Sequence, residues 1–483
     1  MKQGIWILAA ITTLAAMSCR KIEADGEREV IIINGGGPST GQTITLEGRI
    51  TADTILRKQN RYILKGLVYM ANNKTMTIEA GTKIEGSYAG SDVAALVITR
   101  GSKIMAQGTA NEPIVFTSAS PNPQSGDWGG LVILGKAPIN TSYNGTSGLF
   151  EVEGGINNAQ GDGLAGSGDA VAPTPVPNDN SGVISYVRIE YAGYAFQPDK
   201  EVNSLTMAGV GSGTTIDHVQ VSYAKDDAFE WFGGTVNAKY LIAWKTQDDD
   251  FDTDNGYSGR VQFGLVIRDS LIADISTSEA FESDNNSSGS SVTPKTSAVF
   301  SNITAIGPRA TLANSGSSYF RAGGHIRRNT SLSIFNSIIM GWPAGFQIDA
   351  STGVPVDRNI EDSTLRIRYT TLAGNTTAIK YSASSSAPTG WNDAAALSWF
   401  QTPAFGNTIL TNATDAKLIQ PFNYTNPDPT PFAGSSGYQP IVSGGNFTDL
   451  KLQDPFFTVV NFRGAVAPAG TESTWWKGWT RFN

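Results

Sequence analysis

Two short acidic segments contain the residues of this sequence that are best suited to chemistry. They are DDAFEWFGG at 226–234 and DDDFDTDNG at 248–256, and they align with a step of 22 residues. A third segment, EAFESDN at 279–285, again places a Phe between acidic residues. Because Ca²⁺ binds mainly carboxylate and carbonyl oxygens, the pattern suggests a site that takes ligands from several segments.

Stacking of these segments would bring like charges together. In a parallel sheet, equivalent residues of neighbouring strands lie about 4.8 Å apart. Two carboxylates at that distance repel each other by roughly 3 kcal/mol at an effective dielectric constant of about 20. Such columns need hydration, shared protons or a bound cation. The predicted columns are Asp227, Asp249 and Glu279; Glu230, Asp252 and Glu282; and Asp254 with Asp284.

A calcium site within a single loop is not indicated. The segment DFDTDNG resembles an EF-hand loop, but Gly256 occupies its seventh position rather than its sixth, and Val261 stands where the twelfth-position Glu belongs. Asp250, Asp252 and Asp254 are predicted to share one strand face. Any Ca²⁺ would therefore be held between neighbouring segments, and the alternative is that these are hydrated or hydrogen-bonded turn acids without a metal.

Basic residues follow in the segment SYFRAGGHIRRN. Beside a bound Ca²⁺, Arg321, Arg327 or Arg328 could remove the proton next to a uronic acid carboxylate, which is polysaccharide lyase chemistry. Alternatively, these arginines form ion pairs with the acidic columns. His218 lies in a strand pattern and is expected to be structural. No cysteine is available as a ligand there, so a structural zinc site is not expected.

Strands with one buried face must position these residues. Apolar residues alternate with period two, and helical patterns are missing between the segments, which excludes most α/β folds. The segments are ISYVRIEYAG (184–193), IDHVQVSYAK (216–225), AKYLIAWKTQ (238–247), RVQFGLVIRD (260–269), AVFSNITAIG (298–307), LSIFNSIIMG (332–341) and LRIRYTTLAG (365–374).

The spacing of these segments predicts the architecture. Ile216, Ala238 and Arg260 follow one another at steps of 22 residues, and a fixed short period is typical of a solenoid. Several short strands per step predict an all-β fold, a right-handed parallel β-helix. The repeated phenylalanines are expected to stack inside it as an aromatic ladder. This ladder comprises Phe229, Phe251 and Phe281, with Phe320 and Phe346 as continuations.

The predicted domains follow from the same patterns. The β-helix is expected to span 44–385, with an insertion at 142–180 where the periodicity is lost, and a C-terminal cap at 386–483. One short helix is predicted at 391–400, capped by Asn392 or Asp393. Five tryptophans are expected to pack this cap, and a sugar-stacking platform or a docking face for a membrane partner is the alternative. They are Trp391, Trp399, Trp475, Trp476 and Trp479.

The N-terminus predicts export. Residues 1–18 have the layout of a secretory signal, and Cys19 is the expected lipidation site, followed by a flexible tether at 19–43. Ordinary cleavage that leaves a free cysteine is the alternative. Because Cys19 is the sole cysteine, disulfides are excluded. The net charge of −8 argues against nucleic acid as a partner.

Several motifs together carry a resemblance to a known family. The segments KIMAQGTANEPIVFTS, GDWGGLVILGKAPIN, DDAFEWFGGTVNAKYL, DDDFDTDNGYSGR, HIRRN and FFTVVNFRGAV…WWKGWTRF resemble uncharacterised Bacteroidota outer-membrane lipoproteins, often labelled multidrug transporters without justification. The resemblance covers about residues 45–483. It implies export and a pectate-lyase-like superhelix, but it brings no established activity, so no catalytic residue is transferred.

Two functions are consistent with these features. The first is a non-enzymatic lipoprotein of the outer membrane, on its surface or periplasmic side, whose β-helix binds glycans or a partner such as a nutrient transporter. The second is a polysaccharide-active enzyme, foremost a Ca²⁺-dependent lyase. A pore is excluded because one short apolar segment cannot form one.

Overall fold

The computed structural model describes residues 41–197, 200–314, 316–383 and 390–482. The predicted signal peptide, the lipidation site at Cys19 and most of the tether lie outside these residues. Within them, no helix has the length and apolar character needed to cross a membrane.

Strands dominate the described chain. The strands are β1 Thr43–Ile50, β2 Thr54–Leu56, β3 Arg61–Met70, β4 Thr75–Ile78, β5 Lys83–Gly86, β6 Ala95–Ile98, β7 Lys103–Gln107, β8 Ile114–Ser118, β9 Gly130–Leu134, β10 Ser142–Tyr143, β11 Thr146–Ser147, β12 Leu149–Glu151, β13 Leu164–Gly166, β14 Gly182–Glu190, β15 Ala195–Gln197, β16 Lys200–Glu201, β17 Leu205–Ala208, β18 Thr215–Ser222, β19 Phe229–Phe232, β20 Asn237–Trp244, β21 Phe251–Asp254, β22 Arg260–Ile267, β23 Ser278–Glu279, β24 Phe281–Ser283, β25 Val299–Ile306, β26 Phe320–Ala322, β27 His325–Arg327, β28 Ser333–Phe335, β29 Ile338–Met340, β30 Ala344–Asp349, β31 Arg366–Arg368, β32 Thr371–Ala373, β33 Thr377–Ser382, β34 Thr408–Leu410, β35 Leu418–Gln420 and β36 Asp428–Pro431. The α-helices are α1 Asp357–Glu361, α2 Asp393–Phe400 and α3 Gln439–Ser443.

In the part of the chain that the structure describes, one continuous sheet of 28 parallel strands forms the body of the protein. In its central part each coil supplies a short strand, such as β19 or β21, and a long strand, such as β18 or β20. Short strands pair with short strands of the next coil, and long strands pair with long strands. This confirms the predicted parallel β-helix.

The long strands bend at residues with left-handed backbone. Tyr186, His218, Tyr240 and Phe263 have φ of 50, 51, 58 and 61°, and they occupy the same position in successive coils. Their outward rings stack, with His218 centred 4.3 Å from Tyr186 and 4.4 Å from Tyr240. His218 therefore has the structural role that its strand pattern predicts.

The aromatic ladder forms where the step is 22 residues and continues into the next coil. Phe229 pairs with Phe251, and Phe251 pairs with Phe281. The ring centroids lie 5.7 and 5.5 Å apart, and all three side chains are buried. These coils are therefore in register, as the repeated phenylalanines predict.

The predicted continuation through Phe320 is wrong, whereas Phe346 lies near the ladder. The residue above Phe281 is Gly324, because Glu282 pairs with the following His325. The ring of Phe346 fills the space at this glycine, where a Cβ atom would meet it at 2.7 Å. Phe320 instead pairs with Ser278, outside the ladder.

The insertion at 142–180 folds back onto the β-helix. It contributes two antiparallel pairs, β10 with β11 and β12 with β13. Phe150 contacts Phe232 with ring centroids 4.8 Å apart, and the Tyr69 hydroxyl donates a hydrogen bond of 2.6 Å to the carbonyl of Ile156. The insertion thus covers apolar residues beside the second acidic column.

The C-terminal region differs from the expected end cap. Helix α2 contacts β33 and is capped by the Asn392 side chain, which accepts a 3.0 Å hydrogen bond from the Ala395 N–H. The sheet, however, continues past residue 385, because β34 pairs with β32. The last residues run back along the long strands, where Gln220 donates to the Arg481 carbonyl at 2.6 Å. They cover an apolar outer face that would otherwise be exposed.

The positions of the tryptophans follow from this path. Trp475, Trp476 and Trp479 are buried against the long strands, so the alternative of a sugar-stacking platform is wrong for these three. Trp391 and Trp399 are partly exposed and meet edge to face with centroids 6.4 Å apart.

Candidate functional site

The predicted carboxylate columns lie on the outer side of the short strands. Glu230 pairs with Asp252, and Asp252 pairs with Glu282. In the neighbouring column, the Asp249 N–H donates to Asp227 at 2.9 Å and the Glu279 N–H donates to Asp249 at 2.6 Å. The alternation within β19 and β21 buries Phe229 and Phe251 and places Glu230 and Asp252 outward, whereas Asp227 and Asp249 lie just before these strands.

The columns are enclosed despite facing outward. The exposed fraction is 7% for Asp227 and Glu230 and 5% for Asp249. Ligand oxygens of Asp227, Glu230 and Asp252 all lie within 4.8 Å of one another. Because burial removes water from the carboxylates, their repulsion is stronger than on an open surface.

The acids of the coils that contain residues 226–254, called the lower coils, have no ion-pair partners among the described side chains. We define the acidic cluster as Asp226, Asp227, Glu230, Asp248, Asp249, Asp252 and Asp254. Among the described side chains, no Lys, Arg or His nitrogen forms an ion pair of 4 Å or less with these carboxylates, whereas Glu279, Glu282 and Asp284 in the next coil are paired with arginines. The cluster therefore holds uncompensated negative charge when it is ionised.

Protonation is favoured in the acidic cluster. Burial, together with neighbouring carboxylates, raises the pKa of Asp226 to about 8 and that of Asp248 to about 9. Burial and the charge of Asp284 raise the pKa of Asp254 to about 8. Burial also raises the pKa of Asp227 well above its ordinary value. A bound cation would reverse this preference.

The acids of the following coils, which contain residues 279–349 and are called the upper coils, have basic partners. We define the charge-paired cluster by its ion pairs: Arg321 with Glu279 at 3.0 Å, Arg327 with Glu282 and with Asp284 at 2.8 Å, Arg328 with Asp284 at 2.8 Å, and His325 with Asp349 at 3.0 Å. Each of the three predicted arginines therefore contacts a carboxylate. Burial opposes ionisation of Glu282, yet the hydrogen bond from His325 and the charge of Arg327 hold its pKa below its ordinary value.

Comparison with known proteins agrees with this geometry. The family model for a pectate-lyase-like β-helix domain matches residues 48–407. The chain belongs to this family. Searches of curated proteins and of solved structures found no match.

The acids of this β-helix protein do not all share one face. Asp250 was predicted beside Asp252 and Asp254, but strand β21 begins only at Phe251, so the alternation does not extend to Asp250. Asp250 is fully buried and forms a 3.1 Å ion pair with the fully buried Arg268. Burial raises the pKa of Asp250 to about 6, and the charge of Arg268 opposes this rise.

Arg268 also holds the loop before β21. Its guanidinium donates to the carbonyl of Asp248 at 2.6 Å and to that of Gln247 at 3.0 Å. This loop carries Asp248 and Asp249 of the acidic cluster. Arg268 is therefore a positioning residue for the β-helix protein's acidic face.

The columns predicted from sequence omitted two members of the cluster. Asp226, Asp227 and Asp248 form a second close triplet, with ligand oxygens within 4.8 Å of one another. Asp226 and Asp248 line a cleft of about 550 Å³, together with Glu201, Asp274 and Lys225. The Asp-Asp doublet at the start of both acidic segments was the sequence feature that could have indicated Asp226 and Asp248. Asp274 lies in a loop and Glu201 in the antiparallel strand β16, both outside the repeat, so no repeated pattern indicated them.

The two clusters of this β-helix protein offer different chemistry. The acidic cluster presents carboxylate oxygens from neighbouring coils, which is the donor set that Ca²⁺ prefers. In the charge-paired cluster, the Arg321, Arg327 and Arg328 guanidinium groups are held by carboxylates. These arginines therefore neutralise acids rather than face an open substrate site.

The acidic cluster predicts an unusual pH dependence in the presence of a chelator. The carboxyl groups of Asp226, Asp248 and Asp254 have pKa values of about 8, 9 and 8 in the folded state, against about 4 when unfolded. The folded protein thus binds protons more tightly, and the free energy of unfolding should fall as pH rises from about 5 to about 9.

Denaturant titrations at a series of pH values measure this dependence. The variant Asp226→Asn/Asp248→Asn should show a shallower decline, because two of the contributing carboxyl groups are gone. Below about pH 4 the opposite trend is expected from Asp349, whose pKa is lowered by its hydrogen bond from His325 despite burial. Stability that rises steadily to alkaline pH in chelator would contradict the prediction.

Proposed function

We propose that the protein is a non-enzymatic scaffold of the cell envelope that binds a carboxylated glycan through Ca²⁺ held in the acidic cluster. The observation that carries this proposal is the set of buried and half-buried carboxylates, from neighbouring coils, without basic partners among the described side chains. The signal layout and Cys19 support export and lipid anchoring at the outer membrane.

The geometry supports a bound cation for which the protein supplies only some of the oxygen ligands. Asp227 belongs to both close triplets, so it lies where a Ca²⁺ would take most of its carboxylate ligands. Asp226 and Asp248 also face the cleft of about 550 Å³. Because Ca²⁺ takes six to eight oxygens, positions that the protein leaves open on the cleft side would accept water or a carboxylate of the glycan.

Ion pairing favours binding over lyase chemistry. A general base must lie within hydrogen-bond reach of the proton that it removes. Arg321, Arg327 and Arg328 are each engaged by a carboxylate at 3.0 Å or less. A lyase would have to break one of these ion pairs before each reaction, whereas a scaffold uses them to hold the coils together.

The test combines calcium binding with glycan binding. Titration of the mature protein with Ca²⁺ should raise the melting temperature, with about 2.7 kcal/mol of stabilisation at a hundredfold excess over Kd. Immobilised polygalacturonate should retain the protein in Ca²⁺ and release it in chelator. Asp227→Asn should weaken Ca²⁺ binding at least tenfold. Asp92→Asn is the control, because Asp92 is an exposed acid outside the acidic cluster, and it should leave Ca²⁺ binding unchanged.

Three results would contradict the proposal. Equal Ca²⁺ responses of Asp227→Asn and Asp92→Asn would remove the metal from the acidic cluster. Ultraviolet absorbance from unsaturated products would identify a lyase. Capture of an outer-membrane transporter from native membranes, with no glycan retained, would identify a protein partner instead.

A further inference from the structure

His325 lies at the centre of the charge-paired cluster. It is 2% exposed, and its Nε2 lies 3.0 Å from Asp349 Oδ2. Asp349 accepts the Nε2 hydrogen, so a metal ion would bind through Nδ1 in place of the Nδ1 proton. Nδ1 lies 3.7 Å from Glu279 Oε1 and 3.5 Å from Glu282 Oε1. One ligand atom from each of these three residues lies within 4.8 Å of the other two.

Glu279 provides a second and independent observation. Its side chain is fully buried, and its Oε2 has no hydrogen-bond partner among the described residues. Its Oε1 is satisfied by Arg321 at 3.0 Å and by the Thr277 hydroxyl at 3.2 Å. A buried carboxylate oxygen without a partner is costly, and a metal ion would satisfy it.

We infer that Glu279, Glu282 and His325 form a binding site for a divalent transition metal, foremost Zn²⁺. Imidazole nitrogen with carboxylate oxygen suits Zn²⁺, whereas Ca²⁺ prefers oxygen alone. Asp349 holds the imidazole ring in place through its hydrogen bond from Nε2, as carboxylates commonly do for metal-binding histidines. The lack of cysteine argues against a structural zinc site, whereas histidine with carboxylates is a donor set of zinc sites that keep an open position.

Arg321 controls access to this site. One of its guanidinium nitrogens lies 3.3 Å from both ring nitrogens of His325, so its charge opposes a cation there. The Arg321 side chain is 30% exposed and long enough to move into solvent. Metal binding would therefore displace Arg321 from Glu279, and removal of this side chain should tighten the binding.

Calorimetric titration with Zn²⁺, at mildly alkaline pH and in millimolar Ca²⁺, tests the site. One Zn²⁺ should bind per chain despite the Ca²⁺. His325→Gln should weaken binding more than a hundredfold, Asp349→Asn by about 10–100-fold, and Arg321→Ala should strengthen it several-fold. His218→Gln, at the other histidine, should leave the affinity unchanged. Co²⁺ in place of Zn²⁺ should give a visible absorption band that His325→Gln abolishes.

The opposite results are equally informative. No heat with Zn²⁺, equal affinity in His325→Gln, or weaker binding in Arg321→Ala would overturn the inference and leave His325 as an ion-pair residue only. If His325→Gln does not fold, as judged by circular dichroism, Glu279→Gln keeps the side-chain shape and must lose affinity in its place. Because Ca²⁺ is present throughout, failure here does not affect the proposed calcium site.

Discussion

Arg268→Met is expected to lower the free energy of unfolding by about 3–5 kcal/mol. The side chains of Arg268 and Asp250 are fully buried and lie 3.1 Å apart, so the substitution leaves a buried carboxylate without its counter-charge. It also removes the donors to the carbonyls of Asp248 and Gln247. Urea unfolding of the wild type and the variant measures the difference.

The same substitution also tests the proposed calcium site. Without Arg268 the loop that carries Asp248 and Asp249 loses its anchor, so the acidic cluster should bind Ca²⁺ at least tenfold more weakly. The variant Arg268→Met/Asp250→Leu is the matched control, because it removes both charges at once. It should recover at least about 2 kcal/mol. If the double variant is no more stable than Arg268→Met, the ion pair is not the reason for the loss.

Phe251→Ala is expected to cost about 3–5 kcal/mol of unfolding free energy. Phe251 is fully buried in the aromatic ladder, with ring centroids 5.7 Å from Phe229, 5.5 Å from Phe281 and 5.7 Å from Phe300. Neighbours on both sides are held by the sheet and cannot close the cavity. Guanidinium unfolding monitored by circular dichroism gives the size of the loss.

Two further variants show whether the loss of stability depends on the volume and burial of the ring. Phe251→Leu should cost less, because most of the volume is kept. Phe432→Ala changes a ring that is 43% exposed and should shift stability by under about 1 kcal/mol. Similar losses for Phe251→Ala and Phe432→Ala would mean that the ladder does not stabilise the stack.

The change of charge along one column explains how a single sheet can hold two different clusters. Glu230, Asp252 and Glu282 are followed in register by His325 and then by Gln347. The repulsion therefore grows over three coils and is then relieved by a basic residue. The acids before Glu279 have no basic partner among the described side chains, whereas Glu279, Glu282, Asp284 and Asp349 are paired with Arg321, Arg327, Arg328 and His325.

The sequence by itself determined the β-helix and the neighbours within each column. Equal steps of 22 residues bring Phe251 above Phe229 and Asp252 above Glu230, because parallel strands repeat the backbone geometry at each coil. The helix at 391–400 was also predictable, since Asn392 provides a local capping signal. These features depend on spacing or on adjacent residues.

Only the tertiary structure decided which residues meet across unequal loops. Arg327 contacts acids 43 and 45 positions earlier, and Asp250 turns inward to Arg268, because loop lengths and strand starts set these contacts rather than the period. The return of the C-terminal residues along the long strands follows from the apolar outer face that these strands leave uncovered. Such contacts depend on the summed packing of distant segments, so no local pattern encodes them.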